Sequence, residues 1–170
     1  HVSNFLPDTP TVAGALAYTR GTDFIFHAVN RLDKGTTGLM AVAKSGYVHD
    51  LLRRALHTDG FLREYRAVCI GVPRPESGVI DLPIAKEDAA TVRRVVDFEH
   101  GRPAITRYRA LEHRNHRTLV QLRLETGRTH QIRVHLSHLG HPICGDFLYG
   151  TELSALPGRF ALHSARIALE

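Results

Sequence analysis

Three stretches in the middle of the chain read as strands, with side chains falling in turn on two faces, and this constrains the fold more than any other feature. Arg63 to Val72 carries Tyr65, Ala67 and Cys69 on one side and Arg66, Val68 and Ile70 on the other. Thr106 to His113 and Thr118 to Thr126 flank Arg114-Asn115-His116-Arg117, which predicts a hairpin with Val120, Leu122 and Leu124 turned inward. Val79 to Ala85 and Thr91 to Asp97 are shorter strand candidates. Helical spacing lies on either side of this block. Thr9-Pro10 can open a helix over Val12, Ala15, Leu16 and Tyr18. Ser45 can cap another over Val48, Leu51, Leu52, Ala55 and Leu56, ending near Gly60. Thr129 can cap a third, with Ile132, Leu136 and Leu139 at i, i+4 and i+7 and a stop at Gly140 and Pro142. Leu39 to Ala43 reads as a further strand. Runs of strands with a few helices predict an α+β fold of mostly antiparallel, mixed sheets flanked by helices and loops.

With 170 residues, 43% of them apolar, one domain over 1–170 can bury a core. Lys and Arg number 22 against 17 acids, for a net charge of +5, and 12 His can add to it. That balance suits a polyanion such as nucleic acid. Cys69 and Cys144 lie far apart without CxxC spacing, so neither a disulfide scaffold nor a thiolate metal site is indicated. No apolar window reaches the ~18 residues of a membrane span, and no signal-peptide core is visible. A cytoplasmic protein with no membrane partner is expected.

Two stretches carry chemistry. In Asn30-Arg31-Leu32-Asp33-Lys34-Gly35-Thr36-Thr37-Gly38, the cations Arg31 and Lys34 favour the ionised form of Asp33, and the glycines permit sharp turns. An ionised carboxylate on a shaped turn can act as a nucleophile; the plainer reading is an Asp satisfying turn amides. In Glu125-Thr126-Gly127-Arg128-Thr129-His130-Gln131-Ile132-Arg133-Val134-His135, Arg128 and Arg133 sit where a strand meets a helix start and can converge on an anion. The alternative is an ordinary capped basic helix. His130, His135, His138 and His141 do not share one helical face, and HExxH is absent, so no metal is expected. Tyr65 can stack on a base or exchange a proton, or simply be a half-buried sheet aromatic. GxGxxG, GxxxxGK[ST] and GxSxG are all missing.

Together and in this order, the stretches resemble the RluA-like family of RNA pseudouridine synthases. The family's H-R-L-D-x-x-T-S-G-L is matched by Asn30 to Leu39, its basic-x-Tyr-x-A-V by Arg63 to Val68, and its T-G-R-x-H-Q-I-R-V-H-L by Thr126 to Leu136. Its G-H-P-I-x-G-D-x-x-Y-G is matched by Gly140 to Gly150, and Leu162-His163 resembles its L-H-A. The resemblance spans about residues 24 to 166. It implies the pseudouridine synthase fold, isomerisation of specific uridines in structured RNA (ribosomal or transfer), and no cofactor; nothing in the sequence demands more than a monomer.

By the same resemblance, Asp33 is the nucleophile acting after the base is flipped out. Tyr65 is the stacking and proton-handling aromatic, and Arg128 the ion-pair partner of Asp33. Arg31, Lys34, Arg63, His130 and Arg133 are expected on the RNA. Asn30 stands for the common His, Thr37 for the common Ser and Arg63 for Lys, departures expected to tune the loop rather than abolish activity. The family's N-terminal strand segment is not found ahead of these motifs. Two other readings are an RNA-binding module without catalysis and a glycosidic hydrolase using Asp33 with Asp146 or Glu125. The hydrolase needs a defined carboxylate separation, and Asp146 reads more simply as a turn residue.

Overall fold

The computed structural model describes residues 10–169 apart from Thr22, His57 and Asp59. The helices are α1 (Val12–Arg20), α2 (Gly46–Ala55) and α3 (Gln131–His138). The strands are β1 (His27–Ala28), β2 (Thr37–Gly38), β3 (Val42–Ala43), β4 (Phe61–Ile70), β5 (Ser77–Asp81), β6 (Ile84–Lys86), β7 (Arg94–Val96), β8 (Ile105–Arg114), β9 (Arg117–Leu124) and β10 (Leu162–Leu169). Six strands form one mixed sheet in the order β2-β10-β4-β9-β8-β5, and β1-β3 and β6-β7 form two small antiparallel ribbons. Among the described residues, only the β10–β2 pair is parallel. The fold is α+β, as the strand patterning implied.

Alternation builds the core. Tyr65, Ala67 and Cys69 on β4, Val120 and Leu122 on β9 and Tyr108 on β8 face one way, and Ile132 and Leu136 of α3 pack onto them with Ile143, Phe160 and Leu162. Asn115 and His116, at φ 48° and 56°, make the two-residue turn joining β8 to β9. Left-handed residues at both turn positions match the twist of a tight hairpin. Leu139, the third member of the expected α3 stripe, stays 38% exposed beyond the helix.

Several boundaries differ from the sequence reading. Leu39 to Ala43 is not one strand: Gly38, at φ +109°, turns the chain after β2, and pairing resumes at β3 against β1. Val79 to Ala85 is split at Leu82-Pro83, because proline has no N–H for a ladder. Thr9 lies outside the described residues; Thr11 caps α1, accepting from the Gly14 N–H at 2.9 Å. Ser45 caps α2 as expected. Thr129 does not cap α3. That place falls to His130, whose side chain makes no capping bond.

Strand β10 has no counterpart in the sequence-based elements. It pairs with β4 along seven positions, yet its partner lies about a hundred residues earlier.

Candidate active site

All eight residues singled out in the sequence line one cavity of about 630 Å³: Arg31, Asp33, Lys34, Arg63, Tyr65, Arg128, His130 and Arg133. That volume is within the usual range for small-ligand sites. Its walls are the Asp33 loop, α2, β4 and the turn into α3. Arg53 of α2, which the sequence reading passed over, also lines it. Among the described residues, six Lys or Arg side chains and a single acid, Asp33, face this space.

The Asp33 loop is held by close backbone approach. The Thr36 N–H donates to the Asp33 carbonyl at 2.9 Å, closing a tight turn. A Cβ on Gly35 would lie 2.5 Å from the Phe160 ring, and one on Gly38 would lie 2.2 Å from the Ser164 carbonyl oxygen. Asn30 is buried, and its Oδ1 accepts from the Ala41 N–H at 2.9 Å. Asn in the place of the family's His therefore acts as a loop brace. Thr37 Oγ1 lies 2.8 Å from His163 Nδ1, tying the loop to β10.

Arg133, rather than Arg128, faces Asp33. Its Nη1 lies 3.5 Å from Asp33 Oδ2. Its Nε and Nη2 donate to the two oxygens of Asp146 at 2.7 and 2.8 Å, a bidentate pair with Asp146 fully buried. The guanidinium carbon also sits 4.3 Å from the centre of the Phe160 ring and 4.9 Å from that of Tyr149. Burial pulls the Arg133 pKa down, but hydrogen bonding and charge from Asp146, with Asp33 adding to them, carry it above the ordinary value.

Arg128 instead donates from Nε to the Pro103 carbonyl at 2.9 Å. Its pKa is lowered by burial and by Arg102. The ion-pair role expected of Arg128 is corrected on this geometry. Arg133, five residues further on, is locked to Asp146, while Arg128 is held by the Pro103 carbonyl. Asp146, read as a turn residue, also accepts from the Leu148 N–H at 3.1 Å. It both shapes its own turn and fixes Arg133.

Gln131 organises the turn into α3. Its Oε1 accepts from the Arg128 N–H at 2.9 Å and the Thr126 hydroxyl at 2.8 Å. Its Nε2 donates to the Ile105 carbonyl and to Thr106 Oγ1, both at 3.0 Å. This buried amide fixes the turn that leads into α3, and the helix has no side-chain cap. His130 next to it is left-handed at φ 59°, ψ 16°, a conformation that costs about 1–2 kcal/mol for a residue with a Cβ. The S/T/D/N capping rule carries no signal for either residue.

Tyr65 is buried, and burial raises its pKa, Arg63 opposing and Asp33 adding to the rise. The phenol is therefore neutral near pH 7. Arg63, expected on RNA, is only 4% exposed. Its Nη2 donates to the Leu56 carbonyl at 3.0 Å, and burial lowers its pKa. It forms part of the wall, whereas Arg31 and Lys34 are exposed at the rim. Two other histidines of this stretch have partners of their own: His135 between Thr106 Oγ1 and the Leu82 carbonyl, His141 on the Ile70 carbonyl.

Comparison with known proteins agrees with this fold. A family model described as RNA pseudouridylate synthase matches residues 12–138. The chain belongs to that family, in its RluA-like branch. It is 41% identical over 150 residues to the uncharacterized RNA pseudouridine synthase YjbO of Bacillus subtilis (strain 168), covering 88% of this chain and 52% of the relative. It is 47% identical over 122 residues to the ribosomal large subunit pseudouridine synthase D of Escherichia coli (strain K12), covering 72% of this chain and 37% of that enzyme.

The chain thus spans about half of the first relative and just over a third of the second. The solved structure of human RNA pseudouridylate synthase domain containing 4 superposes with a TM-score of 0.78 at 27% identity, covering 98% of this chain and 76% of that one. No helix among the described residues is long and apolar enough to cross a membrane.

Proposed function

We propose that this chain carries the catalytic core of an RNA pseudouridine synthase that isomerises specific uridines in ribosomal or transfer RNA, with Asp33 as its nucleophile. The observation that carries the reading is a lone carboxylate in a ring of cations. Asp33 stands at the cavity with Arg133 at 3.5 Å, and every other charged side chain lining that space is basic. Phosphates are drawn to such a rim. A duplex would not fit a uridine into it, so the target nucleotide must leave its stack, at a cost of a few kcal/mol when paired. Arg31 and Lys34 at the rim are suited to holding the displaced strand.

The reaction needs no redox partner. The bond from uracil N1 to the sugar C1′ breaks, the ring turns, C5 bonds to C1′, and the C5 proton is lost as N1 gains one. Asp33 attacks the sugar or the base and holds the intermediate while the ring turns. Arg133 orients Asp33 across the 3.5 Å contact, a role its pairing with Asp146 makes rigid. Tyr65, neutral and buried, offers a stacking face and a hydroxyl donor rather than a ready base. Arg128 and Arg63 belong to the cavity's positive wall. Names of the bacterial relatives make large-subunit ribosomal RNA the first substrate to try.

The test is tritium release from total RNA carrying uridine tritiated at C5, taken from a strain lacking the corresponding gene. Release by the wild-type chain is expected. RNA binding without release would favour the non-catalytic binding module.

A further inference from the structure

We propose that His130 is a further catalytic residue, a neutral imidazole whose Nε2–H donates a hydrogen bond to a carbonyl oxygen of the uracil ring, and that Tyr149 is the positioning residue that sets this tautomer. The proposal rests on the isomerase reading for its substrate and on the hydrogen-bond network for its chemistry. Tyr149 is 9% exposed, and its hydroxyl oxygen accepts from the Arg94 backbone N–H at 2.8 Å. The same oxygen lies 2.8 Å from His130 Nδ1. A buried phenol needs an acceptor for its own proton, and an unprotonated Nδ1 supplies one. The arrangement that satisfies all three groups has Arg94 N–H donating to Tyr149, Tyr149 O–H donating to Nδ1, and the imidazole proton on Nε2.

That nitrogen has no protein partner among the described residues, and the ring lines the cavity. The backbone points the same way. His130 holds the left-handed conformation at the mouth of α3, strain of a kind that collects at functional sites. The Tyr149 ring meets the imidazole edge-on, with centroids 5.6 Å apart and planes at 79°, and Arg133 packs on the same Tyr149 ring.

The charged groups around His130 are Asp33 and Asp146, which favour its protonation, and Arg133 and Arg94, which oppose it; burial is the largest influence, and the balance lowers its pKa. The imidazole is thus neutral at pH 7. Breaking the N1–C1′ bond leaves the electron pair on uracil, spread over N1 and the carbonyl oxygens. A fixed donor at one of those oxygens stabilises that charge as it develops.

The experiment reads the tautomer first, independently of turnover. Nitrogen-15 shifts of His130 at pH 7 are expected to show Nδ1 unprotonated and Nε2 protonated, with the Nε2 signal moving on addition of uridine 5′-monophosphate. Tyr149→Phe is expected to move the Nδ1 signal towards a mixture of tautomers. In tritium release, His130→Ala is expected to lower kcat about 100-fold with KM little changed, and His130→Gln, whose amide donates from a similar reach, to retain most of the rate.

A protonated Nδ1 at pH 7 would overturn the proposal. So would an Nε2 signal that ignores the nucleotide while Ile132 and its neighbours respond, or equal losses in the two variants. An Nδ1 signal unchanged by Tyr149→Phe would overturn the role of Tyr149. Wild-type protein that shows the Nε2 response but releases no tritium would remove the isomerase reading and leave the uracil donor standing.

Discussion

The two walls of the cavity are built differently. On the α3 side, buried polar groups brace one another: Asp146 on Arg133, Gln131 on Thr126 and Thr106, His135 on Thr106 and Leu82. On the other side the Asp33 loop runs between the short β1 and β2, with α1 and α2 beyond it, and neither helix has a fully buried residue. Asp33 itself is 25% exposed and meets Arg133 at 3.5 Å, longer than the bonds that hold Arg133 in place. The α3 wall is thus cross-braced by buried side chains, whereas Asp33 is held through the turn and the close backbone approaches of its own loop. A wall braced in this way is preorganised, and fixed polar groups stabilise charge that develops beside them.

Breaking the rigid wall should have the largest effect. Asp146→Ala leaves Arg133 buried with only the longer Asp33 contact, and a loss of about 3–5 kcal/mol is expected in urea denaturation. The double variant Asp146→Leu with Arg133→Met should recover much of that stability while staying inactive. On the loop side, Gly38→Ala meets both a positive φ and the Ser164 backbone, and about 1–3 kcal/mol should be lost.

A pH series separates the walls further. His135 is fully buried, and burial lowers its pKa below the unfolded value. Unfolded chain then binds the extra proton, so stability is whole above about pH 6.5 and falls as the pH drops below it, by at most about 1.4 kcal/mol per unit. His135→Gln should flatten that slope in denaturation midpoints taken from pH 7 to 5.5. The smallest effect belongs to Arg128→Ala. Stability should move by less than about 0.5 kcal/mol, and the salt slope of RNA binding should shrink by about 1 if Arg128 meets a phosphate.

What the sequence revealed followed local rules. The β8–β9 hairpin, the Ser45 cap and the apolar side of β4 each depend on residues within a few positions of one another. The two arginines of the α3 stretch were visible together, but choosing between them needs Asp146, whose pairing with Arg133 is a tertiary contact. Strand β10 was missed for the same reason, since its ladder partners are remote in the chain. An uncapped helix start with His130 in a left-handed turn runs against the usual residue preferences, and these preferences point to Thr129 instead. The cavity residues themselves were found through motif resemblance, because neither Asp33 nor Tyr65 stands out from an ordinary turn or strand residue on patterning alone.

The most direct test of the central claim is to measure tritium release and RNA affinity on one preparation of Asp33→Asn beside the wild type. The account predicts that release falls on the order of 10⁴-fold or more while affinity stays within a few-fold. Release near the wild-type rate would contradict it and move the nucleophile elsewhere.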